Sequence, residues 1–466
     1  MTMHLGHEPA ALPSDDRDQQ LCQAVARARR STFYARHLAG HDLTRAAELN
    51  RLPLTFKHHL RDASPFGMLA VAPAAAWHYH ESSGTTGEPI STWCGLLEVR
   101  LLAEMLRRMV PELSAGAILL NRFPLFAPAA FIFEQALQSA GACHIPAGNL
   151  TWDVPFTRAL GFIRRLGVTA LACLPFEAML LRELAREQGL DLGREAESLK
   201  VIFCGGAVLP PALRRAIEQD WGVRVVELYG SNEAMGLGLS CLHGRLHLCS
   251  DLVEIEVLDR HTHAPVPAGD AGVLTVTSLV HEVMPLVRYY TEDLVRLDQE
   301  PCPCGDPRPT ATVLGRLEEL LEFGGREASA CEVLDAAYEV SDRIGTRTFF
   351  IVVRQRGLHF LIEAPQPARL DQAAAERALG ERLHLPITVE YLRHGEVLDR
   401  SALLRSPRIY KPSLVCDWRR QSKKSITIME ALLEWPRFDL PTVLGIAGRQ
   451  LRNARRRRRL LRQERE

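Results

Sequence analysis

Between residues 115 and 230 short apolar runs alternate with amphipathic stretches of helical length, and no other feature constrains the fold of this chain so tightly. AILL at 117–120 leads to FIFEQALQSAG, and CHIPAG leads to a helical stretch near 155–166. VTALACL at 168–174 precedes another near 176–188, KVIFCGG at 200–206 precedes PPALRRAIEQD, and VRVVELYG at 223–230 closes the series. Strands separated by helices of this length need crossover connections, so they lie parallel, with helices on both faces of the sheet. In such sheets ligands bind in the loops beyond the carboxyl ends of the strands. The expected fold class is α/β.

The flanking regions read differently. Residues 20 to 62 are helical by the spacing of Leu21, Val25, Phe33, Tyr34 and Leu38. From about 246 to 300 the runs HLCSDLVEIEVLD, GVLTVTSLV and EDLVRLDQ are separated by turns without helices, which predicts an antiparallel β subdomain. From about 330 the order is helix (CEVLDAAYEV), hairpin (RTFFIVVRQ and LHFLIEA), helix (LDQAAAERALGERL) and strand (PITVEYL), a small α+β unit. A chain of 466 residues is long for one domain. We therefore expect a large N-terminal domain over 1–316, a hinge near Gly315–Glu318, a small C-terminal domain over 317–417, and an extension over 418–466.

Composition excludes some functions. Lys+Arg and Asp+Glu both number 56, so the whole molecule has no general bias toward nucleic acid or membrane. The polar, acidic N-terminus lacks the pattern of a signal peptide, and no run of about 18 apolar residues predicts a membrane span. Eleven cysteines without a disulfide-type framework fit reduced thiols and a cytoplasmic location. The basic residues are nearly all arginine; Lys57, Lys200, Lys411, Lys423 and Lys424 are the only lysines. Nine arginines lie between Arg449 and Arg465, which reads as a solvated basic helix or as a site for anionic lipid, nucleic acid or an acidic partner.

Three segments carry chemistry. In HESSGTTGEP, Ser82 to Gly87 place four hydroxyl residues and two glycines in six positions. Their hydroxyls and backbone N–H groups can surround a polyphosphate, and glycine permits its close approach. The segment is not a Walker loop, since no Gly-Lys-Ser/Thr follows. Alone, such a loop is more often a linker. In LYGSNEAMG, Tyr229 and Glu233 stand at a strand's carboxyl end, where a ring can stack on a base and a carboxylate can hold Mg²⁺. Alone, a buried tyrosine and a capping acid would explain it. In RYYTEDLVRL and the following GRLEEL, Asp293 can accept ribose hydroxyls and Arg316 can meet a phosphate, or both can serve surface ion pairs.

Taken together and in this order, these segments resemble the adenylate-forming superfamily of acyl-CoA synthetases, and most nearly its phenylacetate–CoA ligase group. RLPLTFKHHLRDASPFGMLAV (Arg51 to Val71) resembles that group's N-terminal signature, and FCGGAVLP follows at Phe203 to Pro210. The resemblance spans roughly 20 to 417. It implies ATP-dependent activation of a small carboxylic acid to an acyl-AMP, with Mg²⁺, and transfer to coenzyme A as a thioester. It assigns Ser82, Ser83, Gly84, Thr85, Thr86 and Gly87 to the phosphate loop, and Gly205, Gly206 and Ala207 to the strip flanking adenine and acyl group. Tyr229 would stack on adenine within a turn that includes Gly230 and Asn232. Glu233 would bind Mg²⁺, Asp293 the ribose, Arg316 would act at the hinge, and Glu318 stands where the family usually has an aspartate about which the small domain rotates. Lys411, six residues before Asp417, matches the catalytic lysine. A homodimer is the group's tendency.

The sequence also departs from that pattern. Glu88 stands where the group often has lysine, Asn232 replaces Thr or Ser, FGGREASACEVL poorly matches the small domain's glycine loop, and Tyr410 replaces a small residue. These changes keep two alternatives open: transfer to a carrier-protein thiol or an amine, and a relative that binds nucleotide without turnover. NRFPLFAPAAF occupies the place of the group's substrate-lining stretch, so Phe123 and Phe126, with Phe176, are candidates to line a pocket for an aryl or short apolar acid. Finally, Cys241 and His247 followed by Cys302 and Cys304 offer three thiolates and an imidazole, a donor set for a closed, structural Zn²⁺ site. Unlinked reduced cysteines are the plainer explanation, with His243 and Cys249 equally near. The resemblance implies a similar cluster in some relatives.

Overall fold

The structure is a computed structural model that describes residues 16–82, 88–149, 153–397, 414–417 and 419. Ser83, Gly84, Thr85, Thr86, Gly87, Tyr410, Lys411 and the arginine-rich tail beyond 419 lie outside the described residues. These divide into two compact units, one through Arg343 and one from Ile344.

The larger unit begins with helices rather than one long helix. Arg17–Ala28 and Thr32–His37 are capped by Asp16 and Ser31, and a 3₁₀ turn at Ala46–Arg51 precedes Lys57–Asp62. A hairpin follows, β1 (His78–Glu81) paired antiparallel with β2 (Ser91–Cys94). Then come β3 (Ile118–Asn121), β4 (Cys143–Pro146), β5 (Ala170–Cys173), β6 (Val201–Gly205) and β7 (Arg224–Ser231). Helices Pro128–Ala140, Phe156–Leu166, Pro175–Glu187 and Pro211–Trp221 connect them. Three start with proline, whose fixed φ and missing N–H cost nothing in a first turn. All five strands are parallel, as the alternation predicts. β5 and β6 are buried throughout, which is why they read as unbroken apolar runs.

The next six strands are β8 (Met235–Ser240), β9 (Leu246–Leu248), β10 (Val253–Leu258), β11 (Ala271–Ser278), β12 (Tyr289–Leu297) and β13 (Thr310–Arg316). They are antiparallel, as expected, but they do not form a sheet of their own. One eleven-stranded sheet runs β10-β11-β12-β13-β9-β8-β7-β6-β5-β3-β4. The reason is local: β8 turns straight back along β7, and its open edge is met by β9 and then β13.

The hairpin of β14 (Leu321–Phe323) and β15 (Arg326–Ala328) and the helix Ala330–Arg343 also pack within the larger unit. Compactness therefore divides the chain after Arg343, whereas the expected boundary was 316/317. Val333, Ala336 and Ala337 are fully buried, and Asp335 accepts from the Ala212 N–H at 2.6 Å at the start of Pro211–Trp221. An apolar face and a cap tie this helix to its neighbour.

The smaller unit is α+β, in the predicted order. β16 (Phe349–Arg354) and β17 (Gly357–Glu363) form the hairpin, Gln372–Leu383 is the helix, and β18 (Ile387–Leu392) returns parallel to β17. β19 (Val415–Asp417) adds parallel to β16.

Candidate active site

The site forms in the larger unit beyond the carboxyl end of β7. There the chain turns through Ser231–Ala234 and reverses into β8, with the Ala234 N–H bonded to the Ser231 hydroxyl at 3.0 Å. The turn is tight: a Cβ at Gly230 would overlap the Met235 carbonyl oxygen. Tyr229 leaves the last part of β7, and Glu233, nearly buried at 7% exposure, sits within the turn.

Tyr229 donates its hydroxyl hydrogen to Asp293 Oδ2 at 2.7 Å. Asp293 lies on β12 directly opposite Arg316 of β13, and the Arg316 Nε stands 3.8 Å from Asp293 Oδ1. Burial raises the Asp293 carboxyl above its ordinary pKa, opposed by the Tyr229 hydrogen bond and the Arg316 charge. Burial and then the Asp293 charge raise the Tyr229 phenol well above its usual value. Glu233 is close enough to act electrostatically on both Asp293 and Arg316. Residues 64 positions apart, 229 and 293, thus share one cluster.

The strand that leads into the phosphate-loop candidate reaches the same place. β1 and β2 bring the loop's two ends together: Ser82 N donates to Ile90 O at 3.0 Å, and Ile90 N donates to the Ser82 hydroxyl at 2.9 Å. Asn232 Nδ2 donates to the Glu81 carbonyl at 2.9 Å, immediately before Ser82. The residue that departs from the expected Thr or Ser is therefore the one that ties the tyrosine–glutamate turn to the end of β1. Glu88 is exposed, and its carbonyl accepts from Arg61 Nε at 3.1 Å.

Gly205 ends β6 beside these elements. A Cβ there would come 2.8 Å from the Leu228 carbonyl oxygen and 3.5 Å from the Phe123 ring, so only glycine fits this close approach. Gly206 and Ala207 follow it. The three pocket candidates do not form one group. Phe123 is a core residue stacked near Phe133 at 6.1 Å. Phe126 is 53% exposed and lies 5.9 Å from His80. Phe176 is half-buried at the start of its helix, and no ring contact joins it to the other two among the described residues. Glu318 lies in the short turn Leu317–Glu319, where the Arg316 N–H donates to Glu319 at 3.0 Å.

One participant escaped the sequence reading except as a scarce lysine. Lys57 Nζ stands 3.6 Å from Glu292, the residue before Asp293. Thr55 brings it there. Its N–H donates to Arg288 O at 2.9 Å, and its carbonyl accepts from Tyr290 N at 2.9 Å, so the N-terminal segment lies along β12. Arg288 anchors the join, buried, paired with Glu256 at 2.8 Å and donating to Leu52 O at 2.6 Å. The scarcity of lysine and the place of Lys57 in the signature segment were the available signals.

A second cluster lies at the other end of the same strands. Ligand atoms of Cys241, His247, Cys302 and Cys304 all fall within 4.8 Å of one another. Cys241 Sγ and Cys302 Sγ are 3.6 Å apart, and Cys304 Sγ is 3.3 Å from His247 Nε2. The buried His247 directs Nδ1 to the Arg308 carbonyl at 3.2 Å, which leaves Nε2 to face the sulfurs. His243 and Cys249 fall outside this cluster.

Three comparisons bear on the arrangement. The family model for AMP-binding enzymes matches residues 82–284. The phenylacetate-coenzyme A ligase of Thermus thermophilus is 31% identical over 320 residues, 66% of this chain and 70% of that protein. The phenylacetate-coenzyme A ligase of Aromatoleum evansii is 30% identical over 306 residues, 64% of this chain and 67% of that protein. Among solved structures, 2-hydroxyisobutyryl-CoA ligase in the postadenylation state with 2-HIB-AMP superposes with a TM-score of 0.75 at 20% identity, covering 92% of this chain and 97% of that one.

Proposed function

The chain belongs to the adenylate-forming superfamily as an AMP-forming carboxylate–CoA ligase of the phenylacetate–CoA ligase-like group, and on that premise we propose which residues carry the reaction and what acid it takes. The reaction has two steps. The acid's carboxylate oxygen attacks the α-phosphorus of ATP, and pyrophosphate leaves. The coenzyme A thiol then attacks the acyl carbon, and AMP leaves.

The observation that supports the residue assignment is the convergence on one turn. Tyr229 meets Asp293 at 2.7 Å while Asn232 meets Glu81 at 2.9 Å. Tyr229 takes the adenine face, with Gly205, Gly206 and Ala207 along its edge. Asp293 accepts the ribose hydroxyls. Ser82 and the loop to Gly87 hold the phosphates. Arg316 and Lys57 supply positive charge beside them. Glu233, nearly buried and accepting no hydrogen bond among the described residues, would hold Mg²⁺, which neutralises charge on the phosphates when bound. Lys411 stabilises charge in the first step, and its withdrawal frees the acyl-AMP for the second.

The acid is aryl or short and apolar; the exposed Phe126 beside His80 supports this reading, whereas Phe123 is packed in the core. ATP–pyrophosphate exchange over a panel of acids, with product detection in coenzyme A, tests this. Exchange confined to long-chain or highly charged acids would end the substrate assignment.

Cys241, His247, Cys302 and Cys304 would hold a structural Zn²⁺. Ligands of a tetrahedral zinc lie roughly 3.3–3.8 Å from one another, given Zn–S and Zn–N bonds of about 2.3 and 2.0 Å. The separations of 3.6 and 3.3 Å fit, and all four protein donors close the site to substrate. A reducing, cytoplasmic setting suits these thiolates. Metal analysis should find about one zinc per chain, reduced in Cys302→Ser; a metal-free parent protein would remove the assignment.

A further inference from the structure

The eleven-stranded sheet has a seam. On one side lie β3 to β9; on the other lie β10 to β13. Among the described residues the strand ladder crosses between the two sides only at β9, which is three residues long and pairs with β13 at two positions, Thr310 with His247 and Ala311 with Leu246. Beyond that pairing β8 and β13 run on with no strand between them among the described residues, because Met235–Leu237 lie above the β8–β9 register. The notch so left is where Tyr229 and Glu233 from one side meet Asp293 and Arg316 from the other.

The zinc donors straddle the same seam at its closed end. Cys241 follows β8 and His247 lies on β9, while Cys302 and Cys304 belong to the β12–β13 connection. Other ties cross nearby: Arg245 pairs with Asp298 at 3.4 Å and donates to Pro301 O at 2.9 Å. These are partly exposed and weaker than metal–thiolate bonds.

We propose that the metal and the nucleotide are thermodynamically coupled through this seam. Zinc fixes the spacing of β8, β9 and β13 at one end, and so fixes how far Tyr229 stands from Asp293 and Arg316 at the other. An adenosine group bridging Tyr229 and Asp293 draws the same strands together from the opposite end. Each ligand then favours the other's binding by the same factor, because linkage is reciprocal. The inference rests on the zinc and nucleotide assignments above, and it makes the metal a positioning device for the adenosine subsite rather than a local staple.

The test measures how zinc partitions at equilibrium between the full-length, zinc-loaded protein and a coloured chelator. It is run alone, with AMP, with a nonhydrolysable ATP analogue as its Mg²⁺ complex, and with pyrophosphate. AMP and the analogue should tighten zinc binding at least about five-fold, the lower end of ordinary coupling, whereas pyrophosphate, which has no adenosine to bridge the notch, should not. Equal partitioning of zinc with and without AMP, when calorimetry shows AMP bound, would overturn the coupling alone. Protein that holds no zinc as purified would overturn the zinc assignment and the coupling with it. Protein that holds zinc but binds no nucleotide would overturn the adenosine subsite.

Discussion

At the scale of single residues, the Tyr229–Asp293 hydrogen bond organises the cluster. A bond to a charged acceptor contributes about 1.5–3 kcal/mol, and 1.4 kcal/mol is a factor of ten. Tyr229→Phe keeps the ring but leaves Asp293 without its 2.7 Å donor. We expect KM for ATP to rise roughly ten-fold, with kcat within about two-fold, since the bond positions the ribose acceptor rather than the reacting phosphorus. Steady-state kinetics decide it; an unchanged KM would mean that Asp293 is held by other means. His80 gives a second case. Burial and then His78 depress its imidazole from 6.5 to about 4. Between those values the unfolded chain binds a proton that the folded chain refuses, so stability is full above about pH 6.5 and falls as pH drops toward 4. The shift accounts for up to about 3 kcal/mol. Urea midpoints at pH 7 and 4.5 should show this loss, and His80→Gln should lessen it; an identical pH slope in the variant would assign the loss to other groups.

At the scale of elements, the site depends on how strands end. β7 carries Tyr229 because its last residues reverse at once into β8, and that reversal requires Gly230. Gly230→Ala forces a side chain against the Met235 carbonyl. The strain should cost about 2–4 kcal/mol and displace Tyr229 and Glu233 together. Calorimetry should show a lower Tm, and titration should show weakened nucleotide binding; a variant with the parent's Tm and affinity would show that the turn relaxes without penalty. The β1–β2 hairpin acts likewise by closing Ser82 onto Ile90. In both places the functional group hangs from a backbone fixed by ladder hydrogen bonds, which limits how far it can drift.

At the scale of the whole molecule, two steps of opposite chemical demand share one nucleotide site. The first gathers positive charge around the phosphates; the second needs an open path for a thiol. Lys411 lies outside the described residues, so its part rests on kinetics. Lys411→Ala should lower ATP–pyrophosphate exchange by about 10²–10³ while preformed acyl-AMP still reacts with coenzyme A. Exchange at the parent rate would remove Lys411 from the first step, and equal loss of both steps would assign it to binding or folding.

Much of this was written in local pattern. The alternation from AILL at 117 to VRVVELYG at 230 is a matter of period and breakers, which neighbouring residues decide, and the parallel strands follow it. The hairpin, helix and strand after Ile344 were legible for the same reason. The motif residues are named from the resemblance of the ordered segments, since each segment alone has ordinary uses, and their roles stay proposals. The single sheet, the short β9 that leaves a notch, Lys57 beside Glu292, and the helix Ala330–Arg343 seated on Pro211–Trp221 were decided by the tertiary structure. Each depends on which distant edge or face satisfies an open hydrogen-bonding or apolar surface, and that choice is settled only when the chain has packed, by free-energy differences that no local window contains.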